Sequence, residues 1–298
     1  MKILVTGANG LIGSRLVARL ALEHEVIALG RGPPRANGKI QYAQVDLLEP
    51  GKLRASIEAL RPAAIFHAAA MTDVDACERD PVAAWRLNVD AVAEAALAAR
   101  AIEARLIALS TDYVFDGEKG CYREDDVPNP RGVYARSKRC GEEAALLNLP
   151  SAAVARVAVV YSGFPGAKRT FAQSTVEALL AGREVRAFAD QTVSPTLADN
   201  AAEMIIGLWQ SGEAGLWHAA GADIVTRVEF CRALARRLGA DQKLIVPTLL
   251  ADAKLLAPRP LRAGLDVARI GKLLGSSGPL PLEAQLDRFL AERKEGAA

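Results

Sequence analysis

The sequence predicts an α/β protein built on a doubly wound parallel sheet, with a smaller C-terminal α/β lobe. Three observations predict it. Short β-branched runs alternate with helical stretches through the first half of the chain. Those runs are apolar throughout instead of alternating with polar residues, as a sheet covered on both faces requires. A glycine-rich turn also follows the first run directly, the place where such a sheet takes a nucleotide.

Taken in order, the run KILVT leads into a helical pattern over 10–22. EVIAL and KIQYAQV follow as strands, then a helix over 53–60, the strand AAIFHAA, a helix over 82–100, the strand RLIALS, a helix over 132–149, and AAVARVAVVY as one closing strand. Residues 1–160 thus form a dinucleotide-binding Rossmann domain, to which a segment around 192–220 returns, and 161–298 form the smaller, substrate-binding lobe. In that lobe turn residues cluster at SGFPG. Helical patterns cover 170–181, 197–209 and 226–238, with REVRAFA and GLWHAAG as strands between them. Pro247, Pro258, Pro260, Pro279 and Pro281 punctuate the remainder, so no long regular element is expected there. The lobe is expected to pack against the carboxyl ends of the sheet.

Composition excludes several classes. Of 298 residues 51% are hydrophobic and 24% charged, and 37 Lys and Arg against 35 Asp and Glu leave a net charge of +2. Disordered and fibrous chains look different, and no basic patch offers a footprint for nucleic acid or an anionic membrane. The longest uncharged stretches, 3–14 and 144–155, are too short to span a bilayer. No signal peptide precedes the first strand, so a cytoplasmic location is expected. Cys77, Cys121, Cys140 and Cys231 form no CxxC pair, and His24, His67 and His218 lie far apart. No disulfide framework and no metal site is expected.

The turn reads Thr6-Gly7-Ala8-Asn9-Gly10-Leu11-Ile12-Gly13. In a strand–turn–helix setting one glycine permits the tight turn, a second lets backbone approach a pyrophosphate, and a third lets helix and strand pack closely. The helix N-terminus then offers N–H groups and partial positive charge to the phosphates. The plainer reading is a βα turn with packing glycines; its place one strand from the start of a repeating pattern favours the nucleotide. An acid at the end of the second strand would take the ribose hydroxyls of NAD. Here EVIAL runs into Gly30-Arg31. The expectation is therefore NADP(H), with NAD(H) as the alternative and Arg31 on the 2′-phosphate; otherwise Arg31 is a solvated cation beside Gly32-Pro33-Pro34. Asp46, after the third strand, is placed either to accept from the adenine amino group or to cap a helix.

Tyr134 and Lys138 lie four residues apart in a helical stretch, hence on one face. A nearby ammonium favours the phenolate, so Lys138 is expected to lower the Tyr134 pKa from its ordinary ~10 toward neutrality. The strand ending Ser110-Thr111-Asp112-Tyr113 brings hydroxyls to the carboxyl edge of the sheet. A proton donor, a cation and a second hydrogen-bond donor beside a nicotinamide are the apparatus for hydride transfer to a carbonyl.

On the glycine turn, Asp46, the His67–Ala70 run, STDYVF at 110–115 and Tyr134-Ala-Arg-Ser-Lys138, the sequence resembles the extended short-chain dehydrogenase/reductase family. Within it the residues 70–78, the 110–117 run, Asp190-Gln-Thr-Val-Ser-Pro-Thr196 and Arg259-Pro-Leu-Arg-Ala-Gly-Leu-Asp266 resemble the RmlD-like group of dTDP-4-dehydrorhamnose reductases. The resemblance implies Tyr134 as general acid, Lys138 as its modulator and ribose ligand, and Thr111 as donor to the substrate carbonyl. It implies a cofactor held by Gly7, Asn9, Gly10, Leu11, Ile12, Gly13, Arg31, Asp46, Leu47, Ala68, Ala69, Ala70, Tyr134 and Lys138. A nucleotide-sugar substrate would meet Thr72, Val74, Asp75, Thr111, Asp112 and Tyr113, with Asp73 beside them and Arg262 on a diphosphate. Asn88 resembles a structural asparagine of the family. The implied reaction delivers hydride from NADPH to the 4-keto carbon of a nucleotide-linked 6-deoxyhexose, in a monomer or homodimer.

The chain departs from the group at three places. Val159 stands where a tryptophan faces the sugar, the residues after Arg259-Pro260 differ, and Arg15 lies near the first-helix glutamate through which some members dimerise around Mg²⁺. No metal is expected. Competing implications are a dehydratase, which would carry a second carboxylate after Asp112, an epimerase holding NAD, and a non-catalytic NADP-binding subunit like the regulatory subunit of methionine adenosyltransferase.

Overall fold

The computed structural model describes residues 1–34, 40–164 and 169–295. Lys39, the first residue of the run KIQYAQV, and Pro165 and Gly166 of SGFPG lie outside them. The first half comprises β1 (Lys2–Thr6), α1 (Leu11–Leu20), β2 (Glu25–Gly30), β3 (Gln41–Gln44), α2 (Lys52–Leu60), β4 (Ala64–His67), α3 (Val74–Arg79), α4 (Pro81–Trp85), α5 (Ala91–Ala101), β5 (Arg105–Thr111), α6 (Gly132–Asn148), β6 (Ala153–Val157) and β7 (Val160–Tyr161). The second comprises α7 (Phe171–Leu180), β8 (Val185–Phe188), β9 (Thr192–Val193), β10 (Thr196–Leu197), α8 (Ala198–Ser211), β11 (Gly215–His218), β12 (Val225–Thr226), α9 (Arg227–Leu238), β13 (Ile245–Thr248), α10 (Ala268–Leu274) and α11 (Leu282–Glu295).

A seven-stranded sheet runs in the order β11-β6-β5-β4-β1-β2-β3, and every pairing in it is parallel. The order reverses between β1 and β4, which opens the crevice at the carboxyl ends where ligands of such sheets sit. Alternate residues of each strand supply two cores. Ile3, Val5, Phe66 and Ile107 pack with Leu16, Met204 and Ile205 on one face; Leu4, Ile27, Ile65 and Leu106 pack with Ile57, Ala95 and Ala99 on the other. Burying each Leu or Ile contributes roughly 1.5–3 kcal/mol, which is why these strands read as unbroken apolar runs. β11, though late in the chain, joins the edge of this sheet beside β6.

A further core lies mainly in the second half of the chain. Val176, Leu179, Phe230, Leu234, Leu286 and Phe289 surround Tyr161 and the short parallel pair of β8 and β13.

Three expectations change. The helix over 82–100 is interrupted by a π-turn at Arg86–Asp90, a local widening often found at functional sites. The closing strand breaks after Val157, and Val159 takes φ 41°, a strained conformation for a β-branched residue. Proline does not prevent a long final element: α11 runs 14 residues. Pro281 immediately precedes it, where a proline sacrifices no helical hydrogen bond, and Asp223 Oδ2 accepts from Leu282 N–H at 2.5 Å.

Candidate active site

The glycine turn is a cradle that no other residue fits. Gly7 has φ +65°, and a Cβ there would lie 2.6 Å from the Ala69 nitrogen. At Gly13 a Cβ would lie 2.1 Å from the Gly7 carbonyl oxygen, so Gly13 lets α1 dock on the turn. Gly10 is the N-cap of α1, makes no side-chain cap, and no acid occupies the first turn. The helix therefore presents its partial positive charge to whatever lies beyond it, which fits a diphosphate. Leu11 borders the turn half-buried, and Ile12 is buried in the core.

Along the crevice the Asn9 amide donates to the Pro33 carbonyl and to the Tyr42 hydroxyl, both at 3.0 Å, and Tyr42 donates to the Gly32 carbonyl at 2.7 Å. This ties down the loop bearing Arg31, which is exposed directly after β2. Asp46 Oδ1 accepts from Leu48 N–H at 3.0 Å. That is a turn closure and not a helix cap, since the next helix begins at Lys52 with Gly51 as its N-cap. Leu47 is buried, and Ala68, Ala69 and Ala70 line the carboxyl end of β4 half-buried. Thr6 Oγ1 knits the strand ends together, accepting from Ala69 N–H at 3.2 Å and meeting His67 Nδ1 at 3.0 Å. Burial, with the Lys138 charge nearby, pushes the His67 imidazole down to about 3, so it stays neutral.

Thr111, Tyr134 and Lys138 converge, each less than a tenth exposed. Three anchors place α6. Glu78 Oε1 accepts from Val133 N–H at its start, 2.6 Å, where a carboxylate suits the helix dipole. Asn88, buried on the π-turn, donates to Ser137 Oγ at 3.0 Å and holds Met71 through both backbone atoms, accepting from N–H at 2.9 Å and donating to C=O at 3.2 Å. A Cβ at Gly141 would lie 2.1 Å from the Asn88 carbonyl oxygen, so only glycine allows this approach.

The Tyr134 pKa is raised, not lowered as the Tyr-Lys spacing suggested. Burial of the phenol dominates, a hydrogen bond with Thr111 opposes it, and the charge of Asp112 adds to it. Lys138 Nζ instead donates to the Leu109 carbonyl at 2.7 Å, and burial brings its pKa down to about 8. Spacing places two residues on one face but does not set their desolvation. Tyr134 is accordingly held as a phenol, the form that donates.

Asp112 and Tyr113 follow β5 directly. Thr111 Oγ1 donates to Asp112 Oδ1 at 2.9 Å, and the Tyr113 and Tyr134 rings meet edge to face at 5.7 Å. Thr72 is exposed at the rim and Val74 half-buried; Asp73 caps α3, accepting from Ala76 N–H at 2.9 Å. Asp75 Oδ1 accepts from Ala257 N–H at 2.9 Å and pairs with Arg259 Nη2 at 3.1 Å, strapping the 257–259 segment to α3.

Two arginines not singled out from the sequence reach this place. Arg227 opens α9, where Thr226 and Glu229 form a capping box, and its charge acts on both Asp112 and Tyr113. Arg259 acts on Tyr113, and its buried Nη1 has no partner. The Thr-x-x-Glu pattern at 226–229 marks a helix start and could have directed attention to Arg227. Arg262, by contrast, is exposed and its guanidinium donates to the Glu118 carbonyl, so it is engaged by the loop after β5 and not brought to Asp112.

Arg15 Nε pairs with Asp199 Oδ1 at 3.2 Å. Among the described residues no group of three or more His, Cys, Asp or Glu could hold a metal, and a cation beside Arg15 would be repelled, so the residues do not fit Mg²⁺ there. A hollow of about 450 Å³ lined by Arg19, His24, Glu203, Ser277 and Arg288 lies against α1 and α8; it contains none of the residues above, so volume does not locate the chemistry. No helix among the described residues is long and apolar enough to cross a membrane.

The family model described as RmlD substrate binding domain matches residues 1–294. A dTDP-4-dehydrorhamnose reductase of Mycobacterium tuberculosis is 36% identical over 273 residues, covering 89% of this chain and 84% of that one. The methionine adenosyltransferase 2 subunit beta of Bos taurus is 32% identical over 307 residues, covering 98% and 89%. A solved structure, of a hypothetical dTDP-4-dehydrorhamnose reductase from Sulfolobus tokodaii, superposes with a TM-score of 0.84 at 31% identity, covering 95% of this chain and 98% of that one.

Proposed function

The chain belongs to the RmlD substrate binding domain family, and from that premise we propose that it is an NADPH-dependent reductase acting on the 4-keto group of a nucleotide-linked 6-deoxyhexose, as in dTDP-L-rhamnose biosynthesis. The observation that carries this reading is the buried convergence of Thr111, Tyr134 and Lys138 at the carboxyl end of β5. Relatives bearing the reductase name support it. Methionine adenosyltransferase subunits are equally full-length relatives, but the presence of Thr111, Tyr134 and Lys138 together, all buried, favours an enzyme over a binding subunit.

The residues fit a dinucleotide: the glycine cradle and uncapped α1 for its diphosphate, Arg31 for a 2′-phosphate, Lys138 for ribose hydroxyls. NADPH would supply the hydride. Tyr134, held as a phenol, donates its proton to the oxygen that becomes the hydroxyl, while Thr111 donates a hydrogen bond to that oxygen as charge develops on it. Asp75, Asp112 and Tyr113 face the sugar. Arg227 and Arg259 take the place intended for Arg262 as donors to substrate phosphate, planar guanidinium groups being suited to it. After Thr111-Asp112 comes Tyr113 and not a second carboxylate, which argues against a dehydratase.

The test is NADPH oxidation with dTDP-4-keto-6-deoxy-mannose and its GDP- and UDP-linked analogues. Turnover of one of them, lost on the order of 100-fold or more in Tyr134→Phe with NADPH affinity kept, supports the reading. Tight NADPH binding with no turnover of any would replace it with a binding subunit.

A further inference from the structure

Among the described residues Asp112 is the carboxylate bonded to Thr111 and acting on Tyr134, and its geometry is unusual. Its side chain is 2% exposed. Oδ1 is bonded to Thr111 Oγ1 at 2.9 Å, and Oδ2 has no partner. The groups facing it are Thr111 from β5, Tyr113 beside it, Tyr134 from α6 and Arg227 from α9. Thr111 Oγ1 in turn accepts from Tyr113 N–H at 3.3 Å and lies close enough to the Tyr134 phenol to lower its pKa against the burial that raises it.

A threonine hydroxyl has one proton to give. While Asp112 is a carboxylate, that proton is committed to Oδ1, and Thr111 has none for Tyr134 or for a carbonyl. When Asp112 is a carboxylic acid the bond reverses: Oδ1–H donates to Thr111 Oγ1, and the Thr111 proton is released from Oδ1, free to donate to the carbonyl oxygen during hydride transfer and to turn toward Tyr134 once that oxygen is protonated. The three side chains then form one directed chain.

We propose that Asp112 is a positioning residue and proton store for the reduction: as an acid it aims the Thr111 hydroxyl, and it restores the Tyr134 phenol through Thr111 after each turnover. The inference rests on the reductase reading above. The balance is simple. Tyr134 gives its proton to the substrate oxygen and becomes a phenolate; Thr111 gives its proton to Tyr134 and takes one from Asp112 Oδ1; Asp112, now a carboxylate, recovers a proton from solvent when product leaves. One solvent proton is consumed per hydride transferred, and no further reactant is needed. Burial supports this arrangement, pushing the Asp112 carboxyl up to about 7 against the opposing Thr111 hydrogen bond and Arg227 charge.

The test pairs two measurements on the full chain. Infrared difference spectra of the cofactor-free protein, with and without Asp112→Asn, should show a protonated carboxyl band at pH 6 that titrates away as pH rises and is missing in the variant. This arm requires no turnover, so it stands apart from the reductase reading, which the substrate assay above decides. In the turnover arm the wild-type kcat should fall with rising pH in step with that band. Asp112→Asn keeps a donor to Thr111 but has no proton to transfer, so kcat should fall roughly 100-fold, with NADPH affinity kept and that pH step gone. The inference is overturned if no such band exists, or if Asp112→Asn slows the enzyme yet leaves the pH profile unchanged, which is the mark of a purely structural role. Burial also pushes the Glu292 carboxyl up to about 7, so should Asp112→Asn not fold, the part of the wild-type band that persists in Glu292→Gln is compared with the wild-type kcat profile and decides alone.

Discussion

Glu142 and Arg156 join helix α6 to strand β6 by a two-pronged ion pair sealed inside the protein. Nε meets Oε1 at 2.7 Å and Nη2 meets Oε2 at 2.8 Å, with side-chain exposures of 0% and 1%. The Arg156 guanidinium also lies over the Phe115 ring, 5.0 Å from its centroid. Because α6 carries Tyr134 and Lys138, this pair holds the reacting face of the helix. Arg156→Met should destabilise the protein by about 3 kcal/mol, since it leaves the buried Glu142 carboxylate with only the partly exposed Arg139, at 3.2 Å, as a cationic partner. Burial raises the Glu142 pKa, but the Arg156 bonds win and hold it below the ordinary glutamate value of 4.5. The stabilisation is therefore complete above pH 4.5 and lost as pH falls through the lower folded value. Urea unfolding at pH 7 and pH 4, with and without Arg156→Met, measures both effects; equal stability of the two proteins at pH 7 would refute the first.

Gly13→Ala should break the cofactor cradle without touching any catalytic side chain. Its methyl would lie 2.1 Å from the Gly7 carbonyl oxygen and 2.8 Å from the Gly7 carbonyl carbon, so α1 must slide out. Overpacking of this kind costs roughly 1–3 kcal/mol. The variant should bind NADPH at least tenfold more weakly, read by fluorescence titration. Gly182→Ala is the control: its φ is +64° but the space around it is open, so it should lose stability while keeping NADPH affinity.

Arg31→Asp should move the cofactor preference. The side chain is exposed at the end of β2 on a loop pinned by Asn9 and Tyr42, so the change alters charge with little disturbance of the fold. An aspartate there repels a 2′-phosphate and accepts from ribose hydroxyls. The ratio of kcat/KM for NADPH to that for NADH should drop by tenfold or more; a ratio that does not move would leave Arg31 as a solvated loop cation.

The parallel sheet was legible because its strands are buried on both faces and carry no competing pattern: Ile3 and Leu4 look alike in sequence yet enter opposite cores. The site was legible where a motif imposes backbone geometry, as at Gly7 and Gly13. It was illegible where the outcome depends on contacts distant in sequence. Within the 259–266 run the sequence points to Arg262, and only the path of the chain brings Arg259 to Asp75 while the loop at Glu118 takes Arg262. Val157 to Val160 read as one strand because a strained φ at Val159 leaves no local signature. The sign of the Tyr134 shift was missed because spacing records proximity to a charge and not the burial that outweighs it.

That same burial makes Lys138 a source of instability in the cofactor-free protein. Desolvation outweighs the attraction of Glu142 and lowers its pKa from 10.5 to about 8. The unfolded chain therefore binds more protons than the folded one between pH 8 and pH 10.5, and stability rises with pH across that window. Below pH 8 both states are protonated and the full penalty, on the order of 3 kcal/mol, remains. Lys138→Met keeps the aliphatic stem and removes the charge, although it also gives up the bond to the Leu109 carbonyl. It should raise the melting temperature of the cofactor-free protein at pH 7 and flatten the rise between pH 8 and pH 10.5, while reductase turnover is lost. Calorimetry across that range, on wild type and variant, is the measurement. A variant less stable than wild type at pH 7, with the same pH slope, would show that the ammonium is fully accommodated by its surroundings and that the site stores no such strain.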